Sequence, residues 1–134
     1  MKHELEDIRI TCKEDCGNAP KKKLLLEFNI ALVKKDNEFI KVHISDNIYW
    51  NIIGVRTIKG RQDFLEASKQ WRETKPNELH IKNILTHGKT AAVTGILKIN
   101  KTITYEFSNI YDFSSVGKNA KINEITSYII KVNS

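Results

Sequence analysis

The 134-residue sequence predicts an α+β fold. Three observations carry this reading. Helical periodicity is concentrated in the first half of the chain. The second half reads as successive strands. Those strands are joined by tight turns at Gly88-Lys89 and Asn100-Lys101, with an earlier break at Gly54. Helices first and strands last, with short connections, predict helices packed on one antiparallel sheet rather than a doubly wound parallel one.

The elements follow in order. Residues Glu4 to Cys16 read as a first helix, with Cys12 and Cys16 on the face of Leu5 and Ile8, and Gly17 ends it. Asn18 can cap a second helix with Pro20 in its first turn. Its apolar stripe is Leu24, Leu25, Phe28, Ala31 and Leu32, and it runs to about Lys35. Asp36-Asn37 opens a short third helix to His43, and Asp46-Asn47 reads as a turn. Ile48–Ile53 is a strand rich in aromatic and β-branched residues, and Val55–Ile58 returns beside it. Arg61–Glu73 is amphipathic and ends before Pro76-Asn77. Strands then cover Leu79–His87, Ala91–Ile99, Ile103–Phe113 and Lys121–Val132.

Composition narrows the function. Apolar residues make up 40% and charged residues 28%, an ordinary globular balance. A formal charge of +6 permits an anionic ligand without calling for nucleic acid. No run is long and apolar enough to span a membrane, and MKHELEDIRI has no apolar signal core, so a cytoplasmic location is expected. In that setting Cys12 and Cys16 are expected as small buried apolar residues rather than a redox or metal pair. His43, His80 and His87 lack metal-ligand spacing, so no metal or other cofactor is expected. Gly54 to Gly60 is not a phosphate-binding loop, and no glycine-flanked serine forms a nucleophile elbow. Lys21, Lys22 and Lys23 read as a solvated helix start.

Several segments carry a family resemblance: LLEFNIALVKKD, FIKVHISDNIYWNIIG, IKGRQDFLEA, GKTAAVTGILKI, ITYEFSNIYDFSS and KINEITSYIIKV. Over about Pro20 to Val132 the chain resembles the nuclear transport factor 2-like superfamily, and its SnoaL-like group in particular. The resemblance implies a cone-shaped, cystatin-like fold in which a curved antiparallel sheet wraps around a long helix. It also implies a pocket at the open end and, in many members, dimers through the outer sheet face. On this reading 1–17 is an accessory N-terminal helix and 18–134 a single SnoaL-like domain.

Ketosteroid isomerase, of the same superfamily, uses an aspartate base, a tyrosine and a protonated aspartate. Matching without gaps puts these roles at Asn51, Phe28 and Asn109. An amide cannot serve as a carboxylate base and phenylalanine has no hydroxyl, so isomerase chemistry of that kind is not expected. If Asn109 faces inward, then Tyr105, Phe107, Tyr111 and Phe113 do too, while Glu106, Ile110 and Asp112 face out. The match puts Ile125, Ser127 and Ile129 inward, and Tyr128 and Ile130 outward. The candidate pocket is therefore Phe28, Asn51, Phe107, Asn109, Tyr111, Ile125 and Ser127. The candidate dimer face is Ile110, Tyr128 and Ile130. Strict alternation sets Trp50 opposite Asn51, and a strand bulge would reverse that. Inner aromatics can either line a cavity or fill the cone.

The leading expectation is a protein that binds a small hydrophobic or weakly polar molecule. One alternative is a non-catalytic dimeric structural or interaction module. The other is an enzyme of lyase, isomerase or cyclase type with a divergent site.

Overall fold

The computed structural model describes residues 8–13, 19–70, 76–100 and 102–132. The elements are β1 (Arg9–Cys12), α1 (Pro20–Lys34), α2 (Asn37–His43), β2 (Ile44–Ile52), β3 (Arg56–Lys59), α3 (Arg61–Gln70), β4 (Pro76–His87), β5 (Thr90–Ile99), β6 (Ile103–Phe113) and β7 (Ile122–Val132). All the strands join one sheet in the order β1-β4-β5-β6-β7-β2-β3. The architecture is α+β, as the sequence predicts, with the helices set against a curved, unclosed sheet. No helix among the described residues is long and apolar enough to cross a membrane.

Helix α1 starts at Pro20, whose fixed φ and missing N–H suit the first turn. The cap position is Ala19, with no side-chain bond, and Asn18 lies outside the described residues. The helix ends at Lys35 in the left-handed region (φ 63°), whose N–H returns to the Ala31 carbonyl. Leu25, Phe28 and Ala31 are buried, and α1 packs against β4. Asp36 caps α2 by accepting from the Phe39 N–H at 3.2 Å. Lys21 is more than a solvated helix start. Its Nζ donates to the Gly88 carbonyl at 2.9 Å and sits 4.7 Å from the centre of the Phe113 ring.

Four expectations need correction. The first concerns the N-terminal helix: within its described part, Arg9–Cys12 is a strand running parallel to β4. Ile10 and Cys12 pack on the core while Thr11 bonds His80 at 2.6 Å, an alternation of period two. Ile10 and Thr11 are β-branched, and pairing with the β4 edge outweighs a short helical spacing. The second concerns Cys12, which is disulfide-bonded rather than a buried thiol; Cys16 and Gly17 lie outside the described residues. The third concerns the sheet, which is mixed. The run from β4 to β7 is an antiparallel meander, but β1 lies parallel to β4 and β2 lies parallel to β7. The fourth concerns two supposed breaks. Asp46-Asn47 lies inside β2, and Pro76-Asn77 opens β4, where Pro76 occupies the first position.

The irregularity in β2 matters most for the site. Ile44 pairs with Ile122, yet Tyr49 already pairs with Glu124, so β2 carries extra residues between them. Arg61 spans the bulged segment. It pairs with Asp46 and donates to the Ile44 carbonyl at 3.1 Å. Ile48, Trp50 and Ile52 point into the core.

Candidate functional site

Alternation on β6 and β7 fixes which side chains meet. Asn109 and Ser127 are direct cross-strand partners, and both are buried on the concave face beneath α1. Tyr111 and Phe113 are buried on the same face, two and four residues beyond Asn109. Asn109, Ser127 and Trp50 line a cavity of about 80 Å3, with Tyr111 and Phe113 behind it. That is room for several waters or a small organic molecule.

The cavity walls are mostly apolar. Leu32 and Val33 come from α1, Leu79 from β4, Leu97 from β5, Phe107 from β6 and Ile129 from β7. Tyr105, Lys35 and Ser68 also reach it. None of its described lining residues is a carboxylate or a histidine.

Its floor is polar and uncharged. Tyr111 is fully buried. Its hydroxyl oxygen accepts from Asn29 Nδ2 at 3.1 Å and from Asn109 Nδ2 at 3.3 Å. The phenol proton is directed to Asn29 Oδ1 at 3.5 Å. Asn29 also donates to the Leu25 carbonyl one helical turn back, at 2.8 Å. Burial pushes the Tyr111 phenol up to about 12, against the hydrogen bonds from Asn29 and Asn109, which favour its ionised form. It is therefore neutral at physiological pH and cannot act there as a base. Beside this network, Trp50 Nε1 donates to Ser127 Oγ at 2.9 Å, and Trp50 stacks at a tilt on Phe64 with ring centres 4.8 Å apart. Two bonding capacities remain unused. Asn109 Oδ1 is buried without a partner, and Ser127 accepts from Trp50 while its own proton has no acceptor among the described residues.

Gly95 determines how Phe107 lies. The two residues are cross-strand partners on the concave face. A Cβ on Gly95 would meet the Phe107 ring at 2.8 Å and press against the His80 carbonyl oxygen. That carbonyl belongs to a stretch of β4 whose register shifts between Ile81 and Asn83. Glycine thus permits the strand to bend and the ring to lie against it.

Of the residues expected in the pocket, Phe107, Asn109 and Ser127 line the cavity. Tyr111 lies behind them and holds Asn109. Phe28 is core rather than lining, edge-on to Tyr111 with ring centres 6.2 Å apart. Ile125 is buried in the same core. Asn51 is not in the cavity. It faces outward, where Thr57 donates to its Oδ1 at 3.4 Å. Counting without gaps misplaces it because side chains alternate every residue, so an error of one exchanges faces. Trp50 takes the inward place. Its signal was the apolar run at even positions, Ile44, Ile48, Trp50 and Ile52. Asn29 was missed as well. It sits four residues after Leu25, a polar residue within the apolar stripe of α1. On the outer face, Tyr128 and Ile130 are exposed and Ile110 is partly so.

No family model matches the sequence, and no curated protein matches it. Solved structures do match. One is an NTF2-like protein of Burkholderia xenovorans, with TM-score 0.71 and 16% identity, covering 86% of each chain. An NTF2-like protein of Cytophaga hutchinsonii is 21% identical at TM-score 0.61, over 81% of this chain and 97% of the other. A Shewanella denitrificans protein named for a SnoaL-like polyketide cyclase gives TM-score 0.70 at 10% identity, over 81% and 89%. Sheet order and these neighbours agree: the chain has the nuclear transport factor 2-like fold.

Proposed function

We propose that the protein binds a small, mostly apolar molecule in the concave cavity, as a binding protein without the catalytic groups of ketosteroid isomerase. The observation that carries this is the cavity itself. Apolar walls end on a floor of bonded, uncharged polar side chains, one of which keeps an unpartnered buried oxygen. A fold stabilised by packing alone gains nothing from such an oxygen, because leaving it unpaired costs about 1–3 kcal/mol. A bound ligand would offset that cost. Asn109 and Phe28 stand where the isomerase resemblance puts its acid and its tyrosine, and neither supplies that chemistry. The cyclase name carried by one neighbour favours a second reading, an enzyme of lyase, isomerase or cyclase type in the same cavity.

The test is a soak of crystals with neutral fragments. Ordered density should appear between Trp50, Phe107 and Ser127 in the wild type. It should be absent in Ile129→Trp, which fills the cavity from its wall. An empty cavity after soaking with the full set would reject binding and leave a structural module as the reading.

We also propose a homodimer through the outer face. Tyr128 is 46% exposed and Ile130 63% exposed on adjacent outward positions of β7. Apolar side chains grouped on a sheet face gain by being covered. For location, the disulfide at Cys12 favours an oxidising compartment over the cytoplasm. Thiol trapping in rapidly acidified cells should find Cys12 blocked, and a freely alkylated Cys12 would restore the cytoplasmic reading.

A further inference from the structure

Resting on the binding function proposed above, we infer that Asn109 and Ser127 form a subsite selective for a hydroxyl group, so that the ligand is an alcohol rather than a ketone, an aldehyde or a carboxylate. Three observations converge. First, the two residues are direct partners across β6 and β7, and both line the cavity. Side chains so placed have Cβ atoms about 5 Å apart, a gap that one oxygen can bridge. Second, their remaining capacities are opposite. Asn109 gives its Nδ2 to Tyr111, which leaves Oδ1 as an acceptor without a partner. Ser127 receives the Trp50 indole proton, which leaves its own O–H to donate. Third, each orientation is held from behind. Tyr111 is itself held by Asn29, and Trp50 is fixed by Phe64.

A hydroxyl satisfies both groups at once, donating to Asn109 Oδ1 and accepting from Ser127. A carbonyl can only accept, so it would serve Ser127 and leave Asn109 unpaired. A carboxylate would place negative charge against the Asn109 oxygen, and the cation in the described lining, Lys35, stands at the end of α1 rather than beside Asn109 and Ser127 on β6 and β7. The arrangement differs from a catalytic one, since neither residue has to gain or lose a proton.

The experiment compares three probes of one shape: benzyl alcohol, benzaldehyde and benzoate. Binding is followed on the full chain by two-dimensional NMR, including the Asn109 side-chain amide. Benzyl alcohol should bind about fivefold tighter than benzaldehyde, the worth of one neutral hydrogen bond, and should shift the Asn109 amide signals. Benzoate should bind weakest. In Asn109→Leu the alcohol should lose its advantage while benzaldehyde is unaffected. If that variant does not fold, the wild-type preference and the Asn109 shift decide. Equal binding of alcohol and aldehyde, or a preference for benzaldehyde or benzoate, overturns the hydroxyl assignment and leaves the binding cavity standing. Failure of all three probes to bind at millimolar concentration overturns the assignment together with the binding function.

Discussion

Each face of β6 and β7 carries an exception to the usual order of a sheet. The concave face buries Asn109, Tyr111 and Ser127, all hydrogen-bonding side chains. The convex face of the same strands exposes Tyr128 and Ile130, with Ile110 partly covered. Folding alone gives no reason for either exception, since unbonded polar groups are costly inside and apolar groups gain nothing outside. The contrast fits the two proposals made above, a ligand met on the inner face and a second copy met on the outer one. Phe113 on β6 and Ile125 on β7 show that the concave face is also ordinary core away from the cavity.

The largest way to separate core from site is Phe28→Ala. Phe28 is fully buried and edge-on to Tyr111, so truncation should cost about 3–5 kcal/mol in urea unfolding. A loss below 1 kcal/mol would mean that Phe28 belongs to an adaptable pocket wall after all.

The next effect is alkaline. Tyr111 ionises near 12 in the folded chain against an ordinary 10. Below pH 10 the phenol is protonated in both states, and stability from this group is intact. Between about pH 10 and 12 the unfolded chain releases the proton while the folded chain keeps it. Stability therefore falls as pH rises, by an amount on the order of 3 kcal/mol. Tyr111→Phe should remove this part of the alkaline loss while costing about 1–3 kcal/mol at neutral pH, because the amide groups of Asn29 and Asn109 lose their partner. Identical alkaline unfolding of the two proteins would contradict the buried phenol network.

Gly95→Ala should cost about 1–3 kcal/mol by overpacking against Phe107 and the β4 backbone, and should narrow the cavity. A crystal structure of the variant with Phe107 unmoved would show that glycine is not what seats the ring. The smallest effect on fold stability falls on the convex face. Tyr128→Asp should change monomer stability by less than about 0.5 kcal/mol, since the side chain is substantially exposed. It should nevertheless lower the mass seen by light scattering from about twice 15.4 kDa toward that value. A wild-type chain that is already monomeric at micromolar concentration would remove the dimer.

The strands of the meander were legible because alternation and turn residues agreed. Ile103–Phe113 has the bounds that its pattern predicts, and its inward and outward sets follow from period two. Legibility failed where a period was short or interrupted. Arg9–Cys12 offers too few residues to tell a strand from a helix, and its partner β4 lies far along the chain. In β2 a gapless match set Asn51 inward, one residue off, although the apolar residues at even positions point to Trp50. Asn29 was hidden because a helical stripe is read from its apolar members, and its partner Tyr111 lies 82 residues away.

The central claim is that the concave polar floor exists to meet a ligand. Its most direct measurement is a titration of wild-type protein with neutral aromatic and alicyclic fragments, read at the side-chain amides of Asn29 and Asn109 and at the Trp50 indole N–H. The account predicts saturable shifts at these three groups, with the signals of Tyr128 and Ile130 on the convex face unchanged. Shifts confined to Tyr128 and Ile130, or none at the floor up to millimolar concentration, would contradict it.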